Sequence, residues 1–288
     1  MTLGGTAEID QVLKSQPFKQ RFWKGLNLVL LIGGAIAVLS PLAIVLWTSF
    51  SLSPDLGQGN PLTLNFSLEN YRRAWLQGHF LLAFANSALV AIAVTACQCF
   101  TSALAGYALA RFQFRGQQLI LAIVLATLVI PFQLLVIPVF LVLKWGHLIN
   151  TYGALILPTA ANGFGIFLLR QSFLTIPIEL EEAAALDGAT RWQILWQILL
   201  PLVRPGLVTL FLFTFIGEWN DLFKPLVFTT RPELRTVQLA LAEFQEQFTS
   251  DWSLLMAAAA IATLPIVILF LLGQRQFVRG VTMTGIKG

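Results

Sequence analysis

Charge is scarce in this sequence. Asp, Glu, Lys and Arg make up 11% of its 288 residues against 57% hydrophobic ones, and the mean hydropathy is +0.76. A soluble domain carries about 25% charged residues, so this balance excludes one and places the chain in a bilayer. Histidine and cysteine are rarer still, with two of each. Cys97 and Cys99 lie two positions apart in an apolar run and point in different directions on a helix, which argues against a disulfide or a metal site. His79 and His147 are far apart in sequence, and Ser, His and acidic residues do not gather, so the chain carries no bond-breaking constellation. No G-x-x-x-x-G-K-[ST] occurs, and any ATP-driven process would need its P-loop on another chain. A basic stripe for nucleic acid is missing too. The pI of 9.3 comes from cations at the ends of apolar runs, which is topology information.

What the sequence has instead is length of apolar run. Six runs, about 26–49, 82–110, 118–143, 151–169, 203–224 and 253–273, are each long enough to cross a membrane as a helix. The strands of a closed barrel would be about ten residues long with alternating polarity, so an all-α integral membrane bundle of six transmembrane helices is expected. The first run follows Lys14, Lys19, Arg21 and Lys24 and is longer than the core of a cleaved leader, so it reads as a retained helix. With the N-terminus cytoplasmic, the inner segments hold those four cations and Arg111, Arg115, Arg170, Arg191, Arg204, Arg275, Arg279 and Lys287. The outer side holds Arg72, Arg73, Lys144, Lys224, Arg231 and Arg235, and this two-to-one bias puts both termini inside. The expected division is a cytoplasmic segment 1–25, a transmembrane domain 26–273 with a long inner loop at 170–202, and a cytoplasmic tail 274–288. Pro41, Pro131, Pro138, Pro158 and Pro265 are expected to break their spans, as suits a protein that encloses a path and changes shape.

The inner loop contains EEAAALDGATRWQILWQILLP, residues 181–201. Pro177 starts a helix at its first position, and Glu179, Glu181 and Glu182 fall in its first turns, where the helix dipole favours acids. Gly188 stops it, and Thr190 with Gln193 forms a capping box for a second helix running to Pro201. Ala183, Ala184 and Ala185 present almost no side chain beside the carboxylates of Glu182 and Asp187. That surface suits close docking of another protein. The competing reading, a helix lying on the membrane, would favour Lys and Arg over acids on its polar face.

The run Glu182, Ala183, Ala184, three residues, Gly188, nine residues, then Ile198, Leu199, Leu200 and Pro201 resembles the signature E-A-A-x(3)-G-x(9)-I-x-L-P of ABC importer permease subunits. The surrounding IPIELEEAAALDGATRWQILWQILLPLVRPGL, together with INTYGALILP at 149–158, GIFLLRQSF at 165–173 and the final TGIKG, is similar to the carbohydrate branch and its maltose-type second permease. The likeness covers most of the chain. It implies a type I importer permease fold with loop 170–202 as the coupling helix in a cleft of a cytoplasmic ATPase subunit. Glu182 would contact a basic residue there, Ala183 and Ala184 would allow close approach, Asp187 would flank them and Gly188 would form the elbow. It also implies a homologous second permease, two ATPase subunits that bind ATP and Mg, an extracytoplasmic solute-binding protein, and a bacterial plasma (inner) membrane location. The solute would be a di- or oligosaccharide or a sugar-linked polyol, with no cofactor in this chain.

Candidates for the solute path are the polar residues of the spans. FIGEWNDLF at 215–223 sets Glu218, Asn220 and Asp221 near the outer end of the fifth run, with Trp219 offering an aromatic face for a sugar ring; Gln133 and Asn162 are the others. The competing reading for Glu218 and Asp221 is cheap solvation at the membrane edge, and for Gln133 and Asn162 bonding between helices. FSLENYRRAWLQGHF at 66–80 is expected to lie as an amphipathic helix on the outer interface, with Leu68, Tyr71 and Trp75 on its apolar side. Residues 225–252 form a long outer loop, which by resemblance meets the binding protein. The alternative function is an ion-coupled secondary carrier, which should carry ionisable residues at the midplane of several spans.

Overall fold

The structure is a computed structural model that describes the backbone of residues 5–51 and 67–285, and side chains at Trp23, 25–51 and 67–274. The cations Lys14, Lys19, Arg21, Lys24, Arg275 and Arg279 lie outside the described side chains, and Lys287 lies outside the described residues. Among the described residues every regular element is a helix. We number them α1 Gly5–Ser49, α2 Glu69–Gln77, α3 Phe80–Arg111, α4 Gln117–Thr127, α5 Val136–Trp145, α6 Tyr152–Ile156, α7 Gly163–Leu174 and α8 Glu179–Leu186. Then follow α9 Arg191–Leu202, α10 Arg204–Trp219, α11 Phe223–Phe228, α12 Val237–Gln247 and α13 Trp252–Gly285.

Three of these, Gly25–Ser49 of α1, α3 and Trp252–Gln274 of α13, are single helices long and apolar enough to cross a membrane. Three more spans are bent pairs: Gln117–Thr127 with Phe132–Trp145 at 94°, Tyr152–Thr159 with Gly163–Leu174 at 44°, and Arg191–Leu202 with Arg204–Trp219 at 79°. The six-span expectation holds with each pair counted once.

The prolines do less breaking than expected. Pro131 sits at ψ 136° at the 94° bend, where an extended residue without an N–H ends the helical ladder. Pro158 lies at the start of the 3₁₀ turn Leu157–Thr159 just ahead of the 44° bend. Pro138 falls in the first turn of α5, where its missing donor costs little. Pro41 and Pro265 ride inside the unbroken α1 and α13. The fifth run also stops short, at Trp219, because Asp221 Oδ1 accepts from the N–H groups of Phe223 and Lys224 and caps α11 instead.

α3 is the central post, packing along α7 and α10. Gly165 of α7 makes this approach close: a Cβ there would collide with Ser102 Oγ of α3 and Leu210 of α10. The buried apolar residues form one large cluster at each end of α3. At one end Tyr107, Leu169, Phe173, Leu195, Leu199 and Leu210 join α3, α7, α9 and α10. At the other, Phe80, Trp219, Val237, Phe244 and Leu254 join α3, α10, α12 and α13. The segment 225–252 thus packs on the bundle through Val237, Ala240 and Phe244 of α12. In α2 the buried residues are Asn70 and Ala74, with Tyr71 and Trp75 half-buried, while Leu68, at the N-cap, is exposed. Asn70 faces inward because its amide donates to the carbonyls of Ser49 and Ser51, tying α2 to the end of α1.

Candidate functional site

The loop after α7 folds as its residues dictate. Helix α8 carries Glu179, Glu181 and Glu182 in its first turn, and Pro177 lies two residues ahead of it, not at its first position. The helix ends in a Schellman arrangement, with Gly188 N–H bonded to Ala185 O at 3.1 Å and Ala189 N–H to Ala184 O at 2.9 Å. Gly188 makes this turn at φ 87°, the left-handed region that a glycine enters without penalty. Thr190 then caps α9: its Oγ1 accepts from Gln193 N–H at 3.3 Å, and its own N–H donates to Gln193 Oε1 at 2.8 Å. Inside α9 the residues Ile194–Leu199 form a π-helical stretch just before Pro201, which has no N–H to give Gln197 in an ordinary turn.

The outer face of α8 is bare. Glu182, Ala183, Ala185, Leu186, Asp187 and Gly188 are all exposed, with Leu186 89% exposed, whereas Ala184 is half-buried and packs with Ala189 on the cluster below. The patch is thus Ala183 and Ala185 flanked by Glu182 and Asp187, with Ala184 part of the seam that seats the helix. Glu182 and Leu186, four apart, share one face. Leu186 was missed in the sequence because a leucine in an apolar chain carries no signal of its own.

Beneath the patch is an ion pair that the sequence does not announce. Glu181, adjacent to Glu182, turns inward to meet Arg111 at the end of α3, with both side chains less than a tenth exposed. Tyr107 Oη contacts Glu181 Oε2 at 3.4 Å, and Arg111 Nη2 donates to Ile176 O at 2.7 Å.

The polar candidates in the spans do not converge on an open path. Trp219 is 3% exposed, its Nε1–H donates to Ala262 O at 3.1 Å, and its ring is covered by Phe215 stacked at 5.8 Å and Phe84 edge-on at 5.5 Å. No face remains for a sugar, which corrects that expectation. Glu218 and Asp221 both turn to Lys224, at 2.5 Å and 3.4 Å, and Lys224 Nζ also donates to Thr159 Oγ1 at 2.8 Å. Thr159 O accepts from Gln98 Nε2, and Gln98 Oε1 from Thr214 Oγ1, so the network ties α3, the bend before α7, α10 and α11 together. Lys224 is buried, though the sequence suggested only an outer-side cation.

Asn220 is exposed and accepts from Gln238 Nε2 at 3.1 Å. Asn162 is exposed and caps α7 by accepting from Phe164 N–H at 2.7 Å. Gln133 is exposed on the 3₁₀ turn beyond Pro131. A cleft of about 510 Å³ opens at the end of the bundle away from α8, between the α2–α3 junction and the start of α12, lined by Trp75, Leu81, Leu82, Pro232 and Arg235. It includes none of the candidate path residues.

Comparison with known proteins gives a consistent set of matches. The family described as binding-protein-dependent transport system inner membrane component matches residues 102–283. A probable ABC transporter permease protein of Bacillus subtilis, YurM, is 38% identical over 256 residues, covering 88% of this chain and 85% of its own. The arabinooligosaccharides transport system permease protein AraQ of Halalkalibacterium halodurans is 34% identical over 260 residues, covering 88% and 93%. Among solved structures, a bacterial ABC transporter involved in the import of the acidic polysaccharide alginate superposes with a TM-score of 0.78 at 26% identity, covering 90% of this chain and 98% of that one.

Proposed function

The chain belongs to the binding-protein-dependent transport system inner membrane components, and from that premise we propose that it is the permease subunit of an ATP-driven importer of oligosaccharides. Relatives named for arabinooligosaccharide transport and for alginate import support a carbohydrate solute. The observation that carries the reading is the loop end of the bundle. A short acidic helix, seated on the bundle by one side, turns exposed alanines and an exposed leucine outward and is bounded by a glycine turn and a capping box.

Such a surface serves a protein partner. Glu182 offers a charge-assisted contact to a basic residue, Ala183 and Ala185 let backbones approach, and Leu186 offers an apolar knob. A hydrogen bond to a charged group contributes about 1.5–3 kcal/mol. We assign the partner as a cytoplasmic ATPase subunit, one of two, which bind ATP and Mg; this puts α8 and both termini in the cytoplasm. The opposite end then meets an external solute-binding protein. Alternating access follows from ATP-driven closure moving α8, with a homologous second permease completing the path. The exposed Gln133 and Asn220 remain candidates to face it. Trp219, Glu218 and Asp221 instead hold the wall together.

The ion-coupled carrier gains little from the charged cluster, because Glu218 and Asp221 are both paired with Lys224 at the end of the fifth span. The test is purification of the chain with its native partners, reconstitution, and uptake of a panel of labelled arabinooligosaccharides, lactose, diacetylchitobiose and alginate oligomers. ATP-dependent uptake of one of them is expected. Uptake that persists without an ATPase and collapses with an ion gradient would sink the reading.

A further inference from the structure

The proposed docking helix has to pass its motion to the spans, and the structure offers few places where it can. Helix α8 has eight residues and one buried side chain, that of Glu181. Small residues, Ala184 of the helix and Ala189 just past its end, pack on the cluster below. Alanine seams are smooth and let a helix slide, whereas a desolvated ion pair with several bonds fixes position and direction.

Glu181 meets Arg111, and both side chains are buried, at 7% and 8% exposure. Tyr107, one turn earlier on α3, reaches Glu181 Oε2 at 3.4 Å, and Arg111 Nη2 also holds Ile176 O, in the link between α7 and α8, at 2.7 Å. The last turns of α3 are themselves clamped to α7: Arg170 Nε–H donates to Leu109 O at 3.1 Å, and Gly106 lies so close to α7 that an added Cβ would stand 3.0 Å from the Arg170 backbone nitrogen. What moves Arg111 therefore moves α3 and α7 together.

We propose that the Glu181–Arg111 pair, supported by Tyr107, is the linkage through which α8 moves the central helix α3, and that Glu181 and Arg111 are positioning residues for coupling. The proposal rests on the reading of α8 as an ATPase-docking helix and adds a transmission element to it. The two adjacent acids then have separate roles, with Glu182 facing the partner and Glu181 facing the bundle.

The experiment uses the full complex copurified with its ATPase, with Cys97 and Cys99 replaced by serine and spin labels at Ile92, exposed on α3, and Glu179, exposed on α8. From 1.5 Å per residue along α3, the label separation is roughly 30 Å, within reach of pulsed dipolar spectroscopy. With the pair intact, α3 and α8 move as one body, and the distance stays the same when ATP and vanadate are added. In Glu181→Gln, and in the double variant Glu181→Leu with Arg111→Met, which leaves no buried charge unpaired, α8 follows the ATPase while α3 lags. The distance then shifts by ~2 Å or more, the scale of helix shifts at switching interfaces.

A wild-type distance that changes with ATP, or variants whose distance does not, overturns the proposal. So does a variant distance already broadened before ATP is added, or loss of assembly in both variants, since either makes the pair an element of the fold alone. Failure of the underlying reading shows separately, as a wild-type chain that copurifies with no ATPase.

Discussion

Each end of the bundle buries an ion pair, and the two ends use it differently. At the α8 end one acid of a neighbouring pair turns inward to Arg111 while the next, Glu182, faces out. At the opposite end Glu218 and Asp221 both turn to Lys224, and the nearby indole of Trp219 is sealed between aromatic rings. One end keeps charge available for a partner, and the other consumes it internally. The difference follows from geometry. Consecutive residues on a helix are about 100° apart, so a single arginine can take only one of two adjacent acids. The residues after Trp219 leave the helix, and that freedom lets Asp221 fold back toward the same lysine that Glu218 reaches. Polar residues here are thus sorted by whether a partner is within reach: paired ones join parts of the bundle, and unpaired ones such as Glu182 stay free for another protein.

The sharpest way to break this comparison is Lys224→Met. Removing the cation leaves Glu218 and Asp221 without a counter-charge in a buried site, and breaking such a pair costs about 3–5 kcal/mol. The detergent-solubilised chain should unfold at a clearly lower temperature or aggregate on size-exclusion chromatography. A melting temperature equal to wild type would mean that the opposite end does not depend on its internal charges, and the contrast would fail.

Glu182→Lys tests the other side of the contrast. The residue is exposed and carries no fold contact, so the melting temperature should stay within the ~0.5 kcal/mol typical of surface changes. Binding to the ATPase should weaken by about 2–3 kcal/mol as a charged contact becomes repulsive, measured as loss of copurification or a raised dissociation constant. Normal copurification and normal uptake would remove Glu182 from the interface. Gly188→Ala is milder. A Cβ there meets nothing within 4 Å, so the cost is only that of a non-glycine residue at φ 87°, about 1–2 kcal/mol, read as a small drop in melting temperature. No drop would mean that the loop relaxes to another turn.

These expectations also mark what was legible in the sequence. The loop was, because its signals are local: Gly188, the Thr190–Gln193 box and the acids of the first turn each act within a few residues, and each is found in the structure. The six spans were legible as apolar runs, but not their bends, since the same residue type breaks the helix at Pro131 and passes unnoticed at Pro41 and Pro265. Whether a proline bends a span depends on packing around the freed carbonyl, which no local pattern encodes. Trp219 and Lys224 were misjudged for the same reason. Trp219 bonds Ala262, 43 residues away, Lys224 reaches Thr159, 65 residues away, as well as its near neighbours Glu218 and Asp221, and Arg111 is 70 positions from Glu181, so the burial of each exists only in the folded bundle.

The smallest effect sharpens the comparison at a residue that belongs to neither end. Asn162 was expected near the solute and is found capping α7, its side-chain oxygen accepting from Phe164 N–H at 2.7 Å. Thr190 does the same for α9 at the α8 end, so the two positions form a matched pair of caps. Replacing either by alanine should cost about 1 kcal/mol through the lost bond to the helix N-terminus. The discriminating change is Asn162→Ser, because serine caps as well as asparagine does but lacks the amide group that a sugar hydroxyl would meet. If capping is the whole role, this variant keeps both its melting temperature and its apparent affinity for the transported sugar. A variant of wild-type stability with a raised KM for uptake would place Asn162 on the solute path, and the fourth span would then be held at its bend by a residue that also reads the cargo.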